Sequence, residues 1–160
     1  MSEYQHRARK RFGQNFLHDA GVIHRILRAI HAREGERLLE IGPGQGALTE
    51  GLLSSGGQLD VIELDLDLIP ILQGKFGHLS NFRLNQGDAL KFDFNRLEAA
   101  PHSLRVVGNL PYNISTPLIF HLLDNAPLIS DMHFMLQKEV VERLAAEPGG
   151  GDWGRLSIMV

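Results

Sequence analysis

Short apolar runs alternate along the chain with stretches of helical periodicity. Runs at Arg37–Ile41, Leu59–Glu63, Phe82–Asn85, Leu104–Val107 and His133–Leu136 have strand length and are flanked by Gly, Pro, Asn or Asp. Between them, Ala47–Ser54, Leu66–Phe76, Thr116–Leu123 and Lys138–Ala145 carry the spacing of helices. Upstream, Asp19 is placed to cap a helix running to about Ala32, with Val22, Ile23, Ile26, Leu27 and Ile30 on one face. Gly149, Gly150 and Gly151 read as a loop, and Trp153–Val160 fits helix and strand equally well. Strand–helix alternation of this kind predicts an α/β domain, with a mostly parallel sheet and helices on both faces. The chain ends at Met159-Val160, inside an apolar segment, which leads us to expect a fragment whose C-terminal part is absent.

Bulk properties narrow the classes. At 160 residues the chain can bury one sizeable core. There is no cysteine, which rules out disulfides and thiolate metal sites and agrees with a cytoplasmic location. The eight histidines are scattered without metal-ligand spacing, so no metal is expected. No apolar run is long enough for a transmembrane helix, and no apolar segment of signal-peptide type follows the basic N-terminus. The net charge of −3 conceals an asymmetry, because residues 1–33 hold seven Lys or Arg against two acids. Arg7, Arg9, Lys10 and Arg11 concentrate that excess in an arm over residues 1–18. Such an arm is either a solvated tail or a phosphate-contacting segment, and charge alone does not choose.

The first motif with chemistry is Glu40-Ile41-Gly42-Pro43-Gly44-Gln45-Gly46, between a strand and a helix. Its glycines permit a sharp turn and close approach to a ligand. The spacing is G-x-G-x-G rather than the dinucleotide G-x-G-x-x-G, which argues against a nicotinamide-dependent oxidoreductase. Glu40 would repel a phosphate but suits a cationic ligand such as a sulfonium amino acid. Glu63 ends the next strand about twenty residues on, where a carboxylate can accept hydrogen bonds from ribose hydroxyls. Asp88, in Gly87-Asp88-Ala89-Leu90, ends the third and can accept an adenine amine. Three acids at successive strand ends lie where open α/β sheets bind ligands.

The fourth strand runs into Gly108-Asn109-Leu110-Pro111-Tyr112-Asn113. An exocyclic aromatic amine is a poor nucleophile, because its lone pair is delocalised into the ring. The Asn109 side-chain carbonyl and the Leu110 main-chain carbonyl can both accept hydrogen bonds from such an amine and draw its nitrogen toward sp³ geometry. Pro111 fixes φ and stiffens the turn. Tyr112 can stack on an extruded base, a contact of about 1–3 kcal/mol in single-stranded recognition.

These segments, with Arg11-Phe12-Gly13-Gln14-Asn15-Phe16-Leu17 and Asn109–Pro117, resemble the ribosomal RNA adenine dimethyltransferases. The resemblance runs from Arg11 to about Leu156 and is most like the bacterial small-subunit (16S) members. It implies a Rossmann-like, class I S-adenosylmethionine-dependent methyltransferase fold, with the catalytic domain over residues 19–160 and with C-terminal strands and a small helical domain of the family missing from this chain. It implies S-adenosylmethionine as cofactor, with Asn15 and the backbone of Leu17 over it and Gly42 at its amino-acid end. Glu63 would take the ribose and Asp88 the adenine amine, with Leu64 and Ala89 as adenine walls. Asn109 would stand at the transferred methyl and, with Leu110, Pro111 and Tyr112, form the catalytic corner. The implied substrate is two adjacent adenosines in a hairpin near the 3′ end of 16S rRNA, methylated at N6 by a monomer on the small ribosomal subunit. Two other readings stand beside it: a 23S rRNA adenine methyltransferase of the macrolide-resistance type, and an RNA-binding ribosome assembly factor with little turnover.

Overall fold

The computed structural model describes residues 18–111, 113–136, 142 and 156–159. These form one sheet of six parallel strands: β1 (Arg37–Ile41), β2 (Gln58–Glu63), β3 (Phe82–Gln86), β4 (Leu104–Asn109), β5 (Ile129–Met135) and β6 (Leu156–Met159). Their spatial order is β3-β2-β1-β4-β5-β6. The helices are α1 (Ala20–Ile30), α2 (Ala47–Ser54), α3 (Leu68–Phe76) and α4 (Ser115–Leu123). The expected α/β architecture is therefore present, and β1 and α2 fall on their predicted bounds.

Strand alternation builds two cores, one on each face of the sheet. Leu39, Ile41, Ile62 and Val106 pack with Leu118, Ile119 and Leu122 of α4. The intervening residues Leu38, Leu59, Val61 and Val107 pack against α1, α2 and α3 through Ile26, Leu52 and Leu72. β1 and β4 are buried almost throughout, on both faces of the sheet.

Polar networks pin the amino-terminal edge of the sheet. Asp60 on β2 is fully buried and accepts hydrogen bonds from Arg37 (3.2 Å) and Arg83 (2.6 Å) on the two neighbouring strands. Arg105 on β4 donates from Nε to Asp131 on β5 (2.9 Å) and from Nη1 to Glu36 (3.0 Å). It also donates to the Ile30 carbonyl at the end of α1 (2.5 Å). Burial resists ionisation of Asp131, but hydrogen bonds from His133 and Arg105 and the Arg105 charge outweigh it, and the carboxyl is pulled down to about 2.

Some boundaries differ from expectation. β5 begins at Ile129 rather than His133. Asp131 lies outside the expected strand, yet it sits in register with Arg105 and is neutralised by it. α1 begins as expected, with Asp19 Oδ1 accepting the Gly21 and Val22 amides, but stops at Ile30 rather than Ala32. His31 adopts a left-handed conformation there and Arg105 occupies the last carbonyls. Of the segment open to either state, Leu156–Met159 is strand, parallel to β5. The N-terminal arm, the Gly149–Gly151 loop and, apart from residue 142, the Lys138–Ala145 helix lie outside the described residues.

Two helix-associated glycines separate conformational need from simple tolerance. Gly46, the residue before α2, has φ +95°, and an added Cβ would lie 2.5 Å from the Phe76 ring. Gly74, exposed within α3, would meet nothing within 4 Å. Gly46→Ala is expected to cost about 2–4 kcal/mol, from left-handed strain plus overpacking. Gly74→Ala should gain about 0.5–1 kcal/mol from helix propensity. Urea denaturation of both variants checks this, and equal effects at the two sites would contradict the packing described.

Candidate active site

The carboxyl ends of β1, β2 and β4 open into one cleft, because the strand order turns outward in both directions from β1. The glycine turn forms its floor. Gly42, Gly44 and Gly46 all have positive φ (66°, 61° and 95°), so each glycine is used conformationally. The Gly42 amide donates to the Ile62 carbonyl (3.0 Å) and the Gly46 amide to the Pro43 carbonyl (3.0 Å), which fixes the turn against β2. Similarly, the Gly87 amide donates to the Glu63 carbonyl (2.9 Å) and ties the loop after β3 to the end of β2.

The cleft is lined by Gly42, Glu63, Leu64, Asp88, Ala89, Leu110 and Pro111, among others, and holds about 650 Å³ of non-atom space, part of it open to solvent. All seven were singled out as cofactor or catalytic residues in the sequence or as walls for an adenine; the structure brings them to one place. Glu63 is 3% exposed. Its Oε2 accepts the Asp65 amide (2.9 Å), while its buried Oε1 has no hydrogen-bond partner among the described residues. Burial raises its carboxyl to about 7, against the Asp65 amide and with help from the Asp65 charge. Asp88 Oδ1 accepts the Leu90 amide (2.9 Å), which orients the carboxylate at the rim. Leu64 is 44% exposed although it is a large apolar residue, and it forms an open flat wall.

Glu40 stands apart from this set. It is 2% exposed and accepts a hydrogen bond from the buried Thr49 hydroxyl on α2. Burial pushes it up to about 7, against that hydrogen bond and aided by the Glu63 charge. It does not line the cleft, so the direct role toward a cationic ligand expected from its position in the motif is not what its side chain does here. Alternation along β1 places it on the face of Leu38, toward α2.

The fourth-strand corner is partly described. The Leu110 amide donates to the Met135 carbonyl (3.2 Å), and the Pro111 carbonyl accepts the Ile114 and Ser115 amides at the start of α4. Leu110 and Pro111 reach the cleft, whereas Asn109 ends β4 beside Met135 and is not among the lining residues. Asn15, Leu17 and Tyr112 lie outside the described residues. Asn113 and Ile114 line the cleft as well; they fall within the Asn109–Pro117 motif but were given no role in the sequence. Ile41, Ile62 and Leu90 also line it and were likewise given none. Their signal was their place, at strand ends and two or three residues after Asp88 and Pro111, rather than their chemistry.

Comparison with known proteins places this geometry in a family. Residues 5–160 match the family model described as ribosomal RNA adenine dimethylase. A ribosomal RNA small subunit methyltransferase A from Pseudomonas aeruginosa is 83% identical, covering 100% of this chain and 60% of that protein. One from a Marinomonas species is 61% identical over 99% of this chain and 60% of its own length. Among solved structures, a dimethyladenosine transferase from Plasmodium falciparum superposes with a TM-score of 0.70 at 31% identity, covering 87% of this chain and 49% of that one. The 23S rRNA methyltransferase ErmE gives 0.68 at 30% identity, covering 89% and 54%. The chain thus spans about 60% of the length of the curated relatives it matches. With a match over nearly all its residues, and with the predicted strand-end cleft in place, the chain belongs to the ribosomal RNA adenine dimethylase family.

Proposed function

We propose that this protein transfers methyl groups from S-adenosylmethionine to N6 of two adjacent adenosines in a hairpin near the 3′ end of 16S rRNA, as a step in small-subunit ribosome biogenesis. The observation that carries the reading is the single cleft where Glu63, Asp88 and the Leu110-Pro111 corner meet. The relatives at 83% and 61% identity are named for the small subunit, and the 23S enzyme is only 30% identical, which favours 16S rRNA as substrate. We place the protein in the cytoplasm, acting as a monomer and without a metal.

The cleft fits the cofactor on one specific ground. The buried Glu63 Oε1 has no partner among the described residues and faces a cavity, and a ribose hydroxyl supplies the donor it needs. When bound, S-adenosylmethionine supplies a methyl group activated by positive sulfur. Glu63 holds the ribose, Asp88 accepts the adenine amine, and Leu64 and Ala89 sandwich the ring. Gly42 lets the backbone approach the amino-acid end, with Asn15 and Leu17 closing over it. Asn109 and the Leu110 carbonyl orient the target amine, Pro111 stiffens their turn, and Tyr112 stacks on the base. Positioning is the main catalytic term. No strong base is required, because the methylated amine is acidic enough to lose its proton to water.

A pH dependence follows from Glu63. Its carboxyl titrates near 7 in the free protein because burial disfavours the anion. Ribose donors favour the anion, so the bound state has a lower pKa, and affinity is full above about 7 and lost as pH falls below it. Titration calorimetry with S-adenosylhomocysteine should show binding weakening by roughly 5- to 10-fold from pH 8 to pH 6. Glu63→Gln should bind weakly with little pH dependence. A wild-type affinity flat across that range, or a Glu63→Gln variant of unchanged affinity, would remove Glu63 from the ribose site.

The reaction itself is tested by tritiated-methyl transfer from S-adenosylmethionine to unmethylated small subunits, with the full-length protein and mapping of the labelled base. Label on two neighbouring 16S adenosines is expected. Label on 23S rRNA would overturn the substrate assignment, and stable binding to subunits without label would favour the assembly-factor role.

A further inference from the structure

The reading above uses the end of the sheet, and leaves α1 unexplained beyond its apolar face. That face is complete: Ile26 and Ile30 are buried and Leu27 packs on Gly51 of α2, where an added Cβ would lie 2.3 Å from Leu27. The outer face carries His24, Arg25, Arg28 and His31, all exposed. There is no acidic residue anywhere in α1. Arg25 and Arg28 form no salt bridge among the described residues, unlike Arg37, Arg83 and Arg105, which are each engaged by an acid. In a chain of net charge −3, two adjacent unpaired guanidiniums on a helix free of acids are a local reversal of sign.

Their placement relates them to the cleft. Arg105, near the start of β4, holds the Ile30 carbonyl, so the last turn of α1 lies at the sheet edge opposite the cleft. The first turn therefore points toward the cleft end. Arg25 and Arg28 are three positions apart and so neighbours on one helix face. The helix is about 16 Å long, enough to follow several consecutive backbone phosphates. None of the large apolar residues found exposed among the described residues lies on α1. A polyanion therefore suits this face better than an apolar protein surface. Arginine also matches phosphate geometry through its planar fork.

We propose that the outer face of α1, through Arg25 and Arg28, is a phosphate-tracking surface that holds the RNA backbone flanking the target while the cleft engages the base. This rests on the reading of the protein as an RNA methyltransferase, and concerns residues outside the cofactor and catalytic set. Because it is electrostatic, the contact should be seen in salt dependence rather than in cofactor affinity.

The test is fluorescence anisotropy of a labelled RNA hairpin bearing two adjacent loop adenosines, titrated with the protein at a series of KCl concentrations. Three proteins are compared: wild type, an R25Q/R28Q double variant, and R25K/R28K, which keeps the charge. For R25Q/R28Q the log–log slope of affinity against salt should become shallower by about 1–2, the loss of one or two phosphate contacts. R25K/R28K should restore most of that slope, and S-adenosylhomocysteine affinity should be unchanged in all three. A slope identical to wild type in R25Q/R28Q overturns the inference, leaving an acidic protein surface as the occupant to be sought. A slope lost equally in R25K/R28K also overturns it, because charge would not be the cause. If wild type fails to bind the hairpin while binding S-adenosylhomocysteine, the RNA reading itself falls and takes this one with it.

Discussion

Parallel pairing of β1 with β2 on one side and β4 on the other is the constraint from which the site follows. Parallel strands bring all their carboxyl ends to one edge, and the connecting helices must then leave that edge to cover the two faces. Because the chain leaves β1 toward β2 and later returns to its other flank as β4, the loops after β1 and β4 diverge and a gap opens between them. The gap is held in shape by main-chain bonds rather than by side chains. Gly42 reaches Ile62, Gly87 reaches Glu63, and Leu110 reaches Met135, so each rim loop is fastened to the end of a neighbouring strand. A cleft framed this way can vary its wall chemistry without losing its position.

Its electrostatic character comes from two buried acids doing different work. Glu63 keeps one oxygen buried, without a partner among the described residues and next to open space, a condition that is costly for a folded protein unless a ligand relieves it. Glu40, a strand away, is satisfied by Thr49 and so braces the base of the glycine turn against α2. Both are raised to about 7 because burial opposes their charge, with the Glu63 charge adding to the effect on Glu40 and the Asp65 charge to that on Glu63. Stability therefore falls on account of this pair as pH rises from about 4.5, the ordinary carboxyl value, through 7, where both must ionise inside the protein. A ligand bearing ribose hydroxyls and positive charge acts in the opposite sense.

Much of this was legible in the chain because local rules and the global fold agree. β1 and α2 could be bounded from pattern, since the Arg37–Ile41 run meets three closely spaced glycines that only a turn would use. Glu63 and Asp88 were found because, with Glu40, they fall at the ends of successive strands, where open α/β sheets bind ligands. The misreadings have equally local causes. Asp131 falls outside the expected strand because its compensating charge, Arg105, is 26 residues away in sequence and visible only across neighbouring strands. Glu40 was read as facing the ligand because its motif was considered without the strand alternation that turns it toward Thr49. Asn113 and Ile114 were overlooked because residues following a proline corner take their direction from the tertiary course of α4.

The central claim is that the cofactor ribose completes Glu63 while its adenine lies against Asp88, at the ends of β2 and β3. The most direct measurement is a crystal structure of the protein with S-adenosylhomocysteine. The account predicts a ribose hydroxyl within hydrogen-bond distance of Glu63 Oε1 and the adenine between Leu64 and Ala89 with its amine toward Asp88. A ligand seated elsewhere, or one leaving Glu63 Oε1 without a partner, would contradict it.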